Sequence, residues 1–180
     1  DASANGKRLR FFRSNGNIVM DVDGTERIDL RALGGADTTV MNDLRRTDVE
    51  AFDIDLAPAL GGTTGDGQAD TVTLFGSDSP GRTDDVQINA FSDAVRVTGL
   101  SADVSVVHPE AASDLLNVNT LGGDDDVAGS IGLAVLLKGA VDGGAGDDSI
   151  LGGDGADLLL AGDGDDDIDG NAGADVAHLD

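Results

Sequence analysis

From residue 143 to 178 the sequence repeats every nine residues, and that period constrains most of what the chain can become. The four units read GGAGDDSIL (143–151), GGDGADLLL (152–160), AGDGDDDID (161–169) and GNAGADVAH (170–178). Glycine holds the fourth position (Gly146, Gly155, Gly164, Gly173) and aspartate the sixth (Asp148, Asp157, Asp166, Asp175). The eighth is Ile150, Leu159, Ile168 and Ala177. Tandem matches at a fixed spacing mark stacked units, none of which buries a hydrophobic face alone. Six residues of each unit read as turn and three as strand. Glycine allows backbone angles that a Cβ forbids, and the eighth residue points inward. Two units then make one coil of a two-sheeted parallel roll. Ile150 and Ile168 fall in one sheet, Leu159 and Ala177 in the other.

Such turns carry a definite chemistry. They direct backbone carbonyls to one side and set the sixth-position carboxylate beside them. Oxygens at ~2.3–2.6 Å, six to eight of them, suit calcium. The chain has no Cys, so it has no disulfide framework or thiolate site, and zinc and copper are disfavoured. Residues 142–180 hold 12 Asp and no Lys or Arg. That much like charge makes a cation part of the expected fold. Asp165, Asp167, Asp169 and Gly170 imitate the start of an EF-hand loop, but that loop needs Glu at its twelfth position. Here the residue is Val176, and no helices flank it.

The rest of the 180 residues follows the same logic more loosely. Acidic groups number 35, of which 32 are Asp and 3 Glu. Aspartate favours turns whereas glutamate favours helices. Alternating runs recur at Arg27–Leu33, Ala51–Leu56, Asp70–Phe75, Asp85–Ala90, Ala94–Gly99, Asp103–Val107 and Leu115–Thr120. Each predicts a strand of period two. No stretch shows a sustained helical period; Gly132–Leu137 and Pro109–Leu116 have room for a turn. KRLRFFR (7–13) predicts an edge strand, its basic residues blunting the edge. A fainter repeat at an offset of 88 aligns ERIDLRALGGAD (26–37) with DLLNVNTLGGDD (114–125), NIVM (17–20) with SVVH (105–108), and KRLRFF (7–12) with VRVTGL (95–100). The chain therefore reads as two diverged halves.

The nonapeptides closely resemble the haemolysin-type, or RTX, calcium-binding repeat, G-G-x-G-x-D-x-U-x. LGGAD (33–37), GDGQADTV (65–72) and LGGDDDV (121–127) resemble the degenerate solenoid that precedes such repeats in secreted bacterial proteins. The resemblance implies an all-β, right-handed parallel β-roll or β-solenoid, with irregular coils over 1–141 and regular nonapeptide coils over 142–180, continuous as one domain. It also implies two or more Ca2+ ions. One would lie between the turns of Gly143, Gly144, Ala145, Gly146 and Asp148, and of Ala161, Gly162, Asp163, Gly164 and Asp166. The other would lie between those of Gly152, Gly153, Asp154, Gly155 and Asp157, and of Gly170, Asn171, Ala172, Gly173 and Asp175. Ala161 and Asn171 depart from glycine, which carbonyl ligands tolerate. Ala177 is a weak core residue, so the last coil is expected to fray.

Function classes narrow accordingly. A formal charge of −24 disfavours nucleic acid and anionic membranes. The longest apolar run, Leu133 to Leu137, is far below the ~20 residues of a membrane helix. No HExxH or GxSxG motif is present. His108 and Glu110 in SVVHPE are better read as strand-end residues than as a catalytic pair. Carboxylate pairs of the glycosidase kind sit in turns that metal ligation explains, so no enzyme is expected. Two readings stay open. One is a calcium-binding domain of a secreted bacterial protein that folds on calcium outside the cell. The other is a calcium-dependent, adhesin-like module binding a glycan or protein. Both place the chain outside the cell or on its surface. The start at Asp1 suggests a mature product or excised domain, with parent domains and a C-terminal type I secretion signal lying outside it. Leu158, Leu160 and Leu151 are expected to face outward, against a missing domain or a second copy.

Overall fold

The computed structural model describes residues 1–14, 16–79 and 81–179. They form β1 (Ala2–Asn5), β2 (Arg8–Arg13), β3 (Ile18–Val22), β4 (Arg27–Arg31), β5 (Thr38–Met41) and β6 (Ala51–Asp55). Then come β7 (Thr71–Phe75), β8 (Asp85–Phe91), β9 (Ala94–Thr98), β10 (Asp103–Val107), β11 (Leu115–Asn119) and β12 (Asp126–Gly129). The last five are β13 (Lys138–Ala145), β14 (Ser149–Leu151), β15 (Leu158–Asp163), β16 (Asp167–Asp169) and β17 (Val176–His178). One sheet runs β17-β15-β13-β11-β7-β5-β1-β2-β3; the other runs β16-β14-β12-β8-β9-β10-β6-β4. From β3 to β8, and again from β10 to β17, the chain alternates between them, and neighbouring strands outside β1-β2-β3 and β8-β9-β10 pair in parallel. This is an all-β roll, as the sequence implies.

The seven expected runs all become strands, because their alternate Val, Ile, Leu and Phe side chains fill the space between the sheets. Phe52, Ile54, Val72, Leu74, Val104, Val106, Leu116 and Val118 are buried in one core. β4 stops at Arg31 rather than Leu33, since Leu33 has turned to a φ of 65°. In the nonapeptide coils the eighth-position register is as expected: Ile150 pairs with Ile168, and Leu159 with Ala177. Burial thins along them. Ile150 and Leu159 are buried, Ile168 is half-buried, and Val176–His178 is exposed throughout.

Three features differ from the expectation. The basic segment is not an edge strand: β2 lies between β1 and β3, antiparallel to both, and β3 takes the edge. The roll is not wholly parallel, because β8-β9-β10 forms a second antiparallel meander. The two meanders are the offset-88 repeat, β2 and β3 corresponding to β9 and β10, yet they lie in opposite sheets. Finally, Leu160 is half-buried, although Leu158 and Leu151 are exposed as expected. Among the described residues the one helical piece is a 3-10 turn at Leu133–Val135, inside the 132–137 stretch that had room for a turn. No described helix is long and apolar enough to cross a membrane.

Candidate metal centre

Stacking of the coils produces two columns of turns, one along each edge of the roll. On the first edge the chain passes from the β13 sheet to the β14 sheet through turns 120–125, 143–148 and 161–166. Their sixth-position aspartates form a ladder. The Asp148 N–H donates to Asp166 Oδ1 at 2.9 Å, Asp125 N–H to Asp148 Oδ1 at 2.8 Å, and Asp84 N–H to Asp125 Oδ1 at 2.7 Å. One oxygen of each carboxylate thus ties a coil to its neighbour, and the other is left over. At Asp148 and Asp125, both 2% exposed, Oδ2 is buried with no hydrogen-bond partner.

The backbone around those oxygens has one recurring shape. Positions two and four take positive φ in all three turns: 73° and 133° at Leu121 and Gly123, 97° and 132° at Gly144 and Gly146, 97° and 158° at Gly162 and Gly164. At the fourth position glycine is required by contact as well as by conformation. A Cβ on Gly164 would strike the Gly146 carbonyl oxygen, and one on Gly146 would strike the Gly123 carbonyl. Neither carbonyl is taken by a backbone hydrogen bond among the described turns. Gly143 likewise leaves room in which Asp148 Oδ2 and the Ala161 carbonyl converge. The result is a cradle of carbonyl and carboxylate oxygens in which Asp148 Oδ2 and Asp125 Oδ2 have no hydrogen-bond partner.

Electrostatics make that arrangement costly without a cation. Burial raises the Asp148 carboxyl to about 6, reinforced by Asp125, Asp166 and Asp124 and opposed by the Asp125 N–H bond. Burial raises Asp125 as well. A buried, unpaired carboxylate is expensive; a hard cation supplies the missing partner for the carboxylate and its neighbouring carbonyls. Among the described residues no three acidic or histidine side chains are placed so that they alone could hold a metal ion. Any cage here is therefore completed by the main chain.

The opposite edge brings together the other expected set, Asp157 and Asp175, with Asp157 N–H on Asp175 Oδ1 at 3.0 Å. Its turns are differently satisfied. Asp157 Oδ2 accepts the Gly153 N–H at 2.9 Å. The Asp154 carboxylate accepts the Gly132 and Ala134 N–H groups at 2.8 and 3.0 Å, which lowers its pKa. Asn171 Nδ2 donates to the Gly152 carbonyl. Asn171 and Gly173 keep positive φ, at 59° and 145°, and a Cβ on Gly173 would strike the Gly155 carbonyl.

Two participants escaped the sequence reading. Asp84 heads the first ladder, although the sequence before it lacks the repeat pattern. Its Oδ2 accepts the Ser77 N–H at 2.8 Å, and its Oδ1 binds the Arg45 guanidinium from the loop between β5 and β6. Arg45 lies 39 residues away with no local signal. The LGGAD turn was more legible: Leu33 and Gly35, at φ 65° and 112°, repeat Leu121 and Gly123. There Asp37 N–H meets Asp70 Oδ1 at 2.8 Å, and Asp70 N–H meets Asp114 Oδ1 at 3.0 Å.

Comparison with known families fits this geometry. Residues 142–177 match the family model of the RTX calcium-binding nonapeptide repeat, in four copies. No curated protein and no solved structure matches the chain. The oxygen cradle and the period of nine coincide in the same residues, so the C-terminal fifth of this chain consists of RTX calcium-binding nonapeptide repeats wound as a β-roll.

Proposed function

We propose that this is a non-catalytic structural module of an exported protein, in which calcium captured by residues 143–178 completes the fold outside the cell. RTX repeats bind calcium and are typical of secreted bacterial proteins. The observation that carries the finer reading is Asp148: buried, with Oδ2 unpartnered and facing carbonyl oxygens. A chain that stores such a carboxylate stays loose where calcium is scarce and closes where it is abundant. Ligand binding to the folded state alone adds ~2.7 kcal/mol per site at a hundredfold excess over Kd.

The candidate catalytic pair lends no support to an enzyme. His108 Nδ1 meets Asp55 Oδ1 at 2.8 Å, while Glu110 Oε2 accepts the Gly67 N–H at 2.6 Å, so the two side chains serve separate turns. The test is circular dichroism with calcium counting. Chelated protein is expected to lose part of its β signal and regain it with calcium, taking up two ions or more. A full signal and unchanged melting in chelator would overturn the reading.

A further inference from the structure

Three of the chain's arginines stand unpaired in one place. The antiparallel strands β1 and β2, residues 42–46, and residues 75–79 with Arg82 enclose an open groove of about 930 Å³. Arg10, Arg45, Arg46 and Arg82 line it, four of the 11 basic residues in a chain with 35 acidic ones. Arg45 turns inward to Asp84. The other three are exposed, and among the described residues they make no salt bridge. Elsewhere Arg8, Arg27 and Arg96 are each paired with aspartate at 2.7–3.2 Å. Arg13 and Arg31 also make no salt bridge among the described residues; in this groove three such guanidinium groups line one space.

The walls also specify what accompanies the charge. Ser3, Asn42 and Ser79 add hydroxyl and amide groups, and Phe75 is the aromatic surface. Asp1, Asp43 and Asp78 are interspersed with the arginines. Guanidinium groups recognise planar or tetrahedral oxyanions. Aspartates accept hydrogen bonds from hydroxyl donors. A groove this large exceeds the needs of one inorganic anion. We propose that the groove binds an oligosaccharide bearing carboxylate or sulfate groups: its oxyanions meet Arg10, Arg46 and Arg82, and its free hydroxyls meet the aspartates. Recognition rests on charge and hydrogen bonds, which accounts for a sugar site in a chain without Trp or Tyr.

Calorimetry on the full chain in calcium tests this with three probes: short oligogalacturonate, a heparin-type sulfated oligosaccharide and neutral dextran. Binding of either charged probe, weakened by salt and absent with dextran, is expected. Preference between the two assigns carboxylate or sulfate. The double variant Arg46→Gln/Arg82→Gln should lose at least about tenfold in affinity, the scale of one or two charged hydrogen bonds. Arg10→Gln should weaken binding independently. Arg96→Gln, on the second sheet, should leave it unchanged and so controls for calcium bridging between acidic partners. Circular dichroism on each variant separates lost binding from lost fold. Failure of both charged probes to bind at millimolar concentration, or equal binding by the double variant, overturns the proposal while leaving the calcium reading intact.

Discussion

The coils before residue 130 and the nonapeptide coils after 142 solve the same problem with different means. An upstream strand such as β6, β7 or β10 carries two fully inward residues: Phe52 and Ile54, Val72 and Leu74, Val104 and Val106. A nonapeptide strand carries one large inward side chain, joined in β15 by the small Ala161, and in β16 and β17 that residue is half-buried Ile168 or exposed Ala177. Burying one aliphatic side chain is worth about 1.5–3 kcal/mol, so each upstream coil gains roughly twice as much. Upstream, carboxylates meet the chain's own cations and donors, as Asp84 meets Arg45 and Ser77. Downstream there is no Lys or Arg beyond Lys138. Where apolar burial is thin and charge uniform, an external cation takes over both tasks.

Calcium removal should split the molecule most visibly. Hydrogen exchange in chelator is expected to leave β6, β7, β10 and β11 protected while residues 142–178 exchange freely, and calcium should restore the latter. Uniform loss, or uniform retention, would break the comparison. Next in size are the core substitutions. Phe52→Ala should cost about 3–5 kcal/mol and Leu159→Ala about 2–5 kcal/mol. Denaturant titrations should show the Phe52→Ala loss with or without calcium, and the Leu159→Ala loss only with it.

The two edges of the roll sharpen the contrast within the repeats. Asp166→Ala should weaken calcium binding more than Asp157→Ala, because Asp157 already satisfies the Gly153 N–H. A difference of about 1–3 kcal/mol is expected, the scale of a charged ligand lost from a buried site. Asp175→Ala should cost less, and exposed Asp169→Ala should be nearly silent. Calorimetric titrations in the reverse order would reject the assignment of the first edge as the stronger site.

The smallest effect concerns Asp70 on the upstream ladder. Burial raises its pKa from 3.8 to about 6, with Asp114, Asp66 and Asp37 adding to the rise and the Asp37 N–H opposing it. A carboxyl raised in the folded state favours folding while protonated. That contribution is full below pH 3.8 and is lost as pH rises through about 6. Melting of the metal-free protein between pH 4 and 7 should show this decline. Asp70→Asn keeps an acceptor for Asp37 N–H and should flatten the curve; an unchanged slope would remove Asp70 as its source.

Much of this was legible in one dimension because repeats and period-two strands are local patterns. Nine-residue spacing alone placed Ile150 beside Ile168 and Leu159 beside Ala177, and alternation placed the seven upstream strands. The all-β class followed from aspartate, glycine and β-branched residues, whose preferences act within a few positions. Other features depended on partners far apart in sequence. That β2 is interior was decided by β3 folding back over it. That Asp154 serves the 132–137 segment, rather than standing free, was decided by an insertion that lengthens one coil and brings the Gly132 and Ala134 N–H groups across 20–22 residues. Arg45 reaches Asp84 only because two loops stack on the same edge. Period and propensity are properties of neighbouring residues; the partner of a buried charge is a property of the coil above or below it, which only the stacked fold supplies.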